Sequence, residues 1–199
     1  MTAPEGWHGL RLTHGRLGVR PLLASDRSAW TEVRGRNRWW LQEWEATLPP
    51  ESPPGHPSYK SLMRELRRQV RDGRALPFAI TVDDEFAGQV TVSNIVLGSA
   101  MFGQIGYWID EQHAGQGYTP AAVAMVIDYC FERVGLHRIE IAVRPENTAS
   151  LRVVEKLQVA EVGFAPRYLH IAGDWRDHRL YAVTREEVPS GLLHRFLSR

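Results

Sequence analysis

Apolar residues recur at alternate positions, or fill the whole run, in several short segments of the chain. These segments predict strands at 17–21, 78–82, 86–96 and 102–109. A different spacing follows from Val123 to Val134, where apolar residues fall at offsets of three and four and the run stops at Gly135. That spacing is typical of one face of a helix with a glycine at its C-terminal end, and it predicts a helix from Tyr118 onward.

The remaining segments complete the order of elements. Residues 1–9 read as a loose tail, and helices are expected from Ser25–Asp26 to Arg36, from 37 to 44 and, after a capping Ser58, from 59 to 72. A strand, a helix and a hairpin are expected at 137–143, at 149–157 and at 163–172 with 174–184. Strands followed by helix, strand, helix and hairpin predict an α/β (α+β) fold with a mixed sheet, in a single domain spanning 1–199.

Composition narrows the function classes. The chain has 199 residues, of which 43% are hydrophobic and 24% charged, as in an ordinary soluble domain. A formal net charge of +1 argues against a broad nucleic-acid surface and leaves room only for a local basic patch. We therefore expect no direct nucleic-acid partner.

A single cysteine, Cys130, excludes an internal disulfide, and its place on the apolar helix face favours a small buried hydrophobe over a nucleophile. No run reaches the ~18–20 apolar residues of a membrane span, and no signal-peptide pattern is visible. No cluster of His, Cys and carboxylates has metal-ligand spacing. We expect a cytoplasmic protein with no membrane contact and no bound metal.

The most informative segment is the loop Gln112–Gly117, between the strand at 102–109 and the helix that begins at Tyr118. The first N–H groups of a helix lack internal partners, and the helix dipole adds positive charge there. Glycines at 115 and 117 let the backbone approach a phosphate closely. The sequence thus predicts a phosphate or pyrophosphate site, although two glycines also suit a plain turn.

The loop lacks the Gly-Lys-Ser/Thr of a nucleotide P-loop, and Pro120 stands where a dinucleotide fingerprint needs its third glycine. What remains is Q-x-x-G-x-G, which resembles the acetyl-CoA pyrophosphate loop of the GNAT N-acetyltransferases. Further blocks in the same order, GYWID, HAGQGY, LHRIE, PENTAS and RYLHIAGDWRDH, are similar to the RimJ/RimL branch of that family. The resemblance runs from Gly106 to Val188, about two fifths of the chain.

This resemblance implies the GNAT acyl-CoA N-acyltransferase fold, a mixed central sheet of about seven strands flanked by helices. It implies transfer of the acetyl group of acetyl-CoA to an N-terminal α-amine of a protein, notably a ribosomal protein, by direct attack in a ternary complex that releases CoA. The residues that it assigns to the acetyl-CoA site are Trp108, Ile109, His113, Gly115, Gln116, Gly117, Tyr118, Thr119, Asn147 and Ser150.

Asn147 and Ser150 illustrate two interpretations. By spacing alone they form an ordinary helix N-terminal cap. The resemblance implies instead that Asn147 hydrogen-bonds the CoA arm and that Ser150 is the catalytic acid that protonates the leaving thiolate. Val154 stands where many members have a tyrosine for that task, so Ser150 is the expected acid.

No base is evident on the strand before the loop, because Gln104 stands where many members have a glutamate. An N-terminal α-amine, with a pKa of about 7.7–8.0, is partly neutral without help, whereas a lysine amine near 10.4 is not. The departure therefore favours an α-amine acceptor. A water-relayed base is sought among five candidates that the sequence does not rank: Glu43, Glu45, Glu85, Asp177 and His178.

Acceptor contacts are expected from Trp44, Glu43, Gln104 and Asp177. The resemblance implies that the aromatic segment 37–45 forms one wall of the acceptor groove, where Trp44 suits a cationic amine through its ring face. For Trp40, core packing is favoured instead. Gln158 stands where relatives have a glycine after a helix, so a positive φ is expected there.

Two other functions stay open. One keeps the chemistry but uses a small amine, such as an antibiotic or a polyamine. The other is a catalytically silent CoA-binding module, which Gln104 and Val154 keep open. The sequence does not indicate an oligomeric state.

Overall fold

The computed structural model describes residues 4, 6–53 and 58–198. Its strands are β1 (Leu12–His14), β2 (Leu17–Pro21), β3 (Leu76–Val82), β4 (Glu85–Val96), β5 (Phe102–Ile109), β6 (Arg138–Val143), β7 (Ala160–Ile171) and β8 (Asp174–Thr184). Its α-helices are α1 (Arg27–Arg36), α2 (Arg38–Leu41), α3 (Tyr59–Arg71), α4 (Tyr118–Tyr129), α5 (Thr148–Leu157) and α6 (Leu192–Leu197).

All eight strands form one sheet in the order β1-β2-β3-β4-β5-β6-β8-β7. Every neighbouring pair is antiparallel except β5 and β6, which run parallel. This parallel pair is joined only over Phe102–Gln104 and Arg138–Glu140. Beyond that point β5 and β6 no longer pair with each other, although β5 stays paired with β4 and β6 with β8. An opening therefore forms between these two strands in the middle of the sheet.

The two faces of the sheet carry separate apolar cores. Phe78 and Ile80 of β3 belong to the larger core, which includes most of α4, whereas Ala79 belongs to a smaller core with α1 and α3. Successive strand residues point to opposite faces, so α4 covers one face and α1 and α3 cover the other. We call the second one the α3 face.

The predicted mixed sheet is confirmed, with eight strands rather than about seven. The additional strand is β1, which has three residues and is too short to show a period. Also missed was α6, whose first two N–H groups, on Leu192 and Leu193, donate to the carboxylate of Asp128 at 2.6 and 2.9 Å. Such a long-range cap leaves no local signal.

Two predictions of local structure were wrong. Within the expected loose tail, Trp7 is 4% exposed and its ring packs edge-on against Phe78 at 4.9 Å; residues 1–3 and 5 lie outside the described residues. The expected helix 37–44 is only the four-residue α2, with Trp44 in the turn after it. Trp40 is partly exposed and belongs to neither core, so the core-packing alternative is also wrong.

Three finer expectations are confirmed. Ser58 caps α3 by accepting from Ser61 N at 3.3 Å. Cys130 is fully buried, and burial raises the pKa of its thiol. Gln158 ends α5 with φ 52°.

In the described part of the chain, no helix is long and apolar enough to cross a bilayer.

Candidate active site

The predicted anion loop leads into the N-terminus of α4. Gly115 and Gly117 have φ values of 77° and 86°, and an added Cβ at either would meet nothing within 4 Å. Their side-chain-free backbone is therefore needed for conformation and leaves open space above the loop. The first turn of α4 contains no acidic residue, and Pro120 occupies a position whose N–H would be unpaired in any case. These features fit the pyrophosphate of CoA.

Side chains around the loop have distinct roles. The rings of His113 and Tyr118 meet edge to face at 6.0 Å. Gln116 donates its amide to the carbonyl of Gln112 at 2.8 Å, so this side chain closes the loop. Thr119 lies in the first turn of α4.

A buried polar network holds the start of the loop. Asp110 is 1% exposed, forms an ion pair with Arg36, and accepts a hydrogen bond from Asn37 Nδ2 at 2.7 Å. Asn37 Oδ1 in turn accepts from Glu111 N at 3.0 Å. Burial alone would raise the pKa of Asp110, but the hydrogen bonds from Arg36 and Asn37 hold that pKa below its usual range. The C-terminal end of α1 thus anchors the loop.

The free part of β5 provides a second element of the acetyl-CoA site. Residues 105–109 pair with β4 on one side and, among the described residues, have no strand partner towards β6. Trp108 lies opposite Gln89, and Ile109, which is 7% exposed, lies opposite Gly88. An added Cβ at Gly88 would collide with the carbonyl oxygen of Trp108, so this glycine allows the close pairing. An extended pantetheine arm fits the open edge as an additional strand would.

A cavity of about 170 Å³ lies in the opening between β5 and β6. It is lined from both faces of the sheet and from the β7–β8 hairpin. The lining residues are Trp44, Ala46, Ile105, Gly106, Tyr107, Ile141, Ala142, Val143, Arg144, Asn147, Ser150, Leu169, Ile171 and His178. We call this space the transfer cavity.

Two hydroxyls meet in the transfer cavity. Ser150 Oγ lies 2.7 Å from the phenolic oxygen of Tyr107, and either group can be the donor. Burial raises the pKa of Tyr107, which keeps its phenol protonated. Sequence reasoning missed Tyr107, although alternation along β5 places it on the same side as the buried Ile105 and Ile109. The expected acid, Ser150, therefore has a second hydroxyl group, that of Tyr107, within hydrogen-bonding distance.

Asn147 is both cap and cavity residue. Its Oδ1 accepts from Ser150 N at 2.9 Å, as an ordinary N-terminal cap does, and among the described residues its Nδ2 donates to no acceptor. The two interpretations of Asn147 are therefore compatible. Val154, which stands where many members have tyrosine, is 2% exposed and belongs to the larger core.

His178 is the titratable group most enclosed by the transfer cavity. It is 3% exposed, and its Nδ1 lies 3.0 Å from the carbonyl oxygen of Arg176. That contact assigns the proton to Nδ1 and leaves Nε2 as an acceptor. Burial lowers the pKa of His178, with a further contribution from the nearby Arg144 guanidinium. The imidazole is therefore neutral at physiological pH.

Gln104 contacts the site only indirectly, through a neighbouring tyrosine. Its Nε2 donates to the hydroxyl of Tyr168 at 2.8 Å, and its Oε1 accepts from Asn94 Nδ2 at 2.7 Å. The Tyr168 ring packs against His178 at a centroid distance of 5.5 Å. Gln104, predicted to touch the acceptor, lines neither cavity and instead fixes the tyrosine beside His178.

Trp44 lines the transfer cavity and also a second, adjacent cavity. The guanidinium of Arg144 sits over its ring at 5.1 Å, so the protein itself supplies the cation for this ring. Arg144 also donates to the carbonyl oxygen of Glu43 at 2.9 Å. The Glu43 side chain is exposed and lines neither cavity. Arg144 was missed by sequence reasoning.

The second cavity, of about 310 Å³, lies on the α3 face, and we call it the acceptor cavity. Its lining residues are Arg34, Leu41, Trp44, Glu45, Gln89, Thr91, Ser93, Gly106, Tyr107 and Trp108. Glu45 forms an ion pair with Arg34, so the carboxylate in this lining is matched by a cation. Asp177 lies outside both cavities, where it accepts from Arg167 N at 2.8 Å in the β7–β8 hairpin. Of the five candidate bases, Glu45 and His178 line a cavity.

The fold and the site define a class of protein. The family model for the acetyltransferase (GNAT) domain matches residues 16–159. The chain belongs to the GNAT family and is an acetyl-CoA-dependent N-acetyltransferase of the RimJ/RimL-like branch. No group of three or more His, Cys, Asp or Glu side chains that could hold a metal occurs among the described residues.

Particular relatives are similar over nearly their full length. The [Ribosomal protein uS5]-alanine N-acetyltransferase of Escherichia coli (strain K12) is 32% identical over 92% of this chain and 94% of its own. The probable N-acetyltransferase YjcK of Bacillus subtilis (strain 168) is 31% identical over 83% and 92%. The structure of Mycobacterium smegmatis RimJ in complex with CoA-disulfide superposes with a TM-score of 0.85, at 40% identity, covering 92% of this chain and 88% of that one.

Proposed function

We propose that this enzyme acetylates the N-terminal α-amine of a protein, and that the acceptor is a ribosomal protein. The observation that carries the proposal is that the two cavities are adjacent, since Trp44, Gly106 and Tyr107 line both. In this proposal the amine enters through the acceptor cavity and passes these shared residues to the space where Ser150 and His178 lie.

In this proposal the backbone at Gly117 and Tyr118 binds the pyrophosphate, and the open edge of β5 orients the pantetheine arm. The Asn147 amide donates to that arm. The bound thioester supplies the acetyl group and a thiolate leaving group. The apolar walls at Ile105, Ile141 and Val143 keep water away from the reacting carbon.

Two protons move during transfer. A nitrogen–carbon bond forms as the carbon–sulfur bond breaks, the amine loses a proton to Nε2 of His178, and Ser150 donates its hydroxyl proton to the departing sulfur. Tyr107, at 2.7 Å, keeps its own proton and donates a hydrogen bond to the Ser150 oxygen. Once the products leave, the proton gained by His178 returns to Ser150 through solvent, so both residues regain their starting states. A neutral imidazole suits this step because the nitrogen becomes strongly acidic once it bonds to the carbonyl carbon.

The charges around the site support an α-amine acceptor. Among the residues that line the two cavities, Glu45 is the one acidic residue, and its carboxylate is neutralised by an ion pair with Arg34. A lysine amine, with a pKa near 10.4, needs a stronger base than this site offers, whereas an α-amine at about 7.7–8.0 is partly neutral already. The ribosomal acceptor is supported by the similarity to the [Ribosomal protein uS5]-alanine N-acetyltransferase of Escherichia coli.

The acceptor class is tested by following CoA release from acetyl-CoA with peptides that begin with Ala, Ser or Met. Peptides blocked at the α-amine but carrying lysine, together with polyamines and aminoglycosides, serve as controls. Turnover that needs the free α-amine is the expected result. Turnover on small amines alone would make the enzyme a small-molecule acetyltransferase, and binding without turnover on any amine would indicate the silent module.

The role of His178 is tested by a matched pair of variants. Asparagine at 178 keeps a donor for the Arg176 carbonyl but lacks Nε2, so His178→Asn is expected to lower kcat roughly 100-fold with an unchanged KM for acetyl-CoA. Ser150→Ala is expected to lower kcat less, because a thiolate is a good leaving group near neutral pH. Glu43→Gln is the control, because the exposed Glu43 side chain lines neither cavity. An unchanged kcat in His178→Asn would remove the imidazole from the mechanism.

A further inference from the structure

Positive charge is concentrated in one short part of the chain. Residues 59–74 contain six Lys and Arg but only two Asp and Glu, whereas the whole chain contains 24 and 23. Outside this segment, acidic residues therefore outnumber basic ones by three. The near-zero net charge of the chain thus hides a local basic region centred on α3.

The exposed side of α3 is entirely cationic. Tyr59, Met63, Leu66 and Val70 are buried, and every residue of the helix that is exposed is Lys or Arg: Lys60, Arg64, Arg67, Arg68 and Arg71. Four of these, Lys60, Arg64, Arg67 and Arg71, fall at offsets of 0, 4, 7 and 11 and form one line along the helix, which we call the basic stripe.

The cations of the basic stripe form no ion pairs with the residues that the structure describes. Among the described residues, none of the four forms an ion pair, whereas the neighbouring Arg68 is paired with Glu65 at 2.6 Å. Over eleven residues the stripe is about 16 Å long, from a rise of about 1.5 Å per residue. Four unpaired charges in a line of this length favour a linear polyanion over a compact anion.

We propose that the basic stripe binds the phosphate backbone of duplex RNA. A nucleic-acid duplex presents one negative charge per about 1.7 Å of its axis, so a line of about 16 Å faces a continuous row of phosphates. The binding itself follows from the charges alone. The choice of RNA over DNA rests on the proposed function, because an acceptor that is a ribosomal protein assembles with RNA.

The composition of the stripe argues against a protein partner. Protein interfaces owe most of their affinity to buried aromatic and aliphatic anchors, with charges at the rim. The exposed side of α3 has no apolar side chain to serve as an anchor. Phosphate contacts need only charge and donor groups, which Lys and Arg supply, and they carry no base specificity.

The stripe also lies on the side from which the acceptor enters. The Tyr59 ring, next to Lys60, packs against Trp30 at 5.1 Å. Trp30 Nε1 donates to Gln89 Oε1 at 3.1 Å, and Gln89 lines the acceptor cavity. RNA held on α3 would therefore lie on the same face as the protein whose N-terminus occupies that cavity.

The test measures binding of a fluorescent 20-base-pair RNA duplex at several salt concentrations. With four phosphate contacts, affinity is expected to fall on the order of 100-fold between 50 and 200 mM salt. Arg64→Gln with Arg67→Gln should weaken binding more than tenfold at 50 mM and reduce the salt slope by about two. The matched control removes two other exposed, unpaired arginines, Arg27→Gln with Arg133→Gln, and should bind like the wild type.

Circular dichroism and acetylation of a free peptide verify that both double variants are folded and active, since neither change touches the active site. Absence of saturable binding at 50 mM salt would overturn the proposal, as would an equal loss in the control variant. A DNA duplex of the same length is expected to bind with similar affinity, because the stripe contacts phosphates alone. Tighter binding of DNA than of RNA would overturn the choice of RNA, and equal affinity for a polyglutamate peptide would overturn the choice of a nucleic acid. Because peptide acetylation is measured separately, failure of the RNA proposal is distinguishable from failure of the proposed function.

Discussion

The buried network at the start of the anion loop makes a quantitative prediction for Asp110→Asn. The substitution keeps the shape of the side chain and removes its charge. The hydrogen bond from Asn37 at 2.7 Å loses its charged acceptor, and bonds to charged groups contribute about 1.5–3 kcal/mol. Arg36 is 37% exposed and is rehydrated, so the lost ion pair adds less than about 1 kcal/mol. We expect a loss of about 2–3 kcal/mol, which lowers Tm by roughly 5–10 °C in a chain of this size.

The same arginine provides the control. Glu32 also pairs with Arg36, at 3.3 Å, but its side chain is 73% exposed. Glu32→Gln should therefore cost less than about 0.5 kcal/mol. Thermal unfolding of the two variants, with acetyl-CoA titration alongside, compares a buried and an exposed partner of one guanidinium. Only Asp110→Asn should raise the KM for acetyl-CoA, since only Asp110 anchors the loop.

The pH dependence gives a second readout. The pKa of Asp110 is depressed in the folded protein, so its contribution is complete above the unfolded value near 3.9 and is lost as pH falls through the folded pKa. The stability difference between wild type and Asp110→Asn should therefore persist from pH 7 to about pH 5 and shrink below pH 4. Equal Tm losses in the two variants, or a difference that grows on acidification, would refute this account of the network.

Two further predictions concern stability. Gln158→Gly should raise stability by about 0.5–1 kcal/mol, because Gln158 has φ 52° at the end of α5 and glycine adopts that conformation without strain; a lower Tm would contradict this. Trp7→Ala should cost about 3–5 kcal/mol in urea unfolding, because the ring is buried against Phe78 and Tyr129; a cost below about 1 kcal/mol would mean that the N-terminal segment contributes little to the fold.

The fold was predictable where burial imposes a period. Strands β3 to β5 and helix α4 have long apolar runs, and the observed elements match the predicted ones within a few residues. Elements stabilised by distant partners left no such signal. β1 depends on pairing with β2, α6 on the carboxylate of Asp128, and Trp7 on the ring of Phe78.

The same distinction between local and distant signals applies to the residues of the candidate site. The loop glycines were recognisable because φ values of 77° and 86° restrict residue type locally. Tyr107 and Arg144 were missed because their partners lie 43 and 101 residues away, at Ser150 and Glu43. Contacts of that kind depend on how strands are placed in the sheet, which no local pattern specifies. A single-domain organisation, the acetyl-CoA contacts and a cytoplasmic location stay predictions.

The three-pair junction between β5 and β6 has a consequence for the lifetime of the protein. Among the residues that the structure describes, the amides of β5 beyond Gln104 have no strand partner on the side of β6, so three residue pairs join the two halves of the sheet. A ligand lying along that edge would act as a removable strand, and its binding energy would add directly to the free energy of unfolding. Amide exchange at 105–109, and resistance to proteolysis, would then follow the supply of acetyl-CoA. An enzyme built this way would persist when its own substrate is abundant and be cleared when acetyl-CoA runs low.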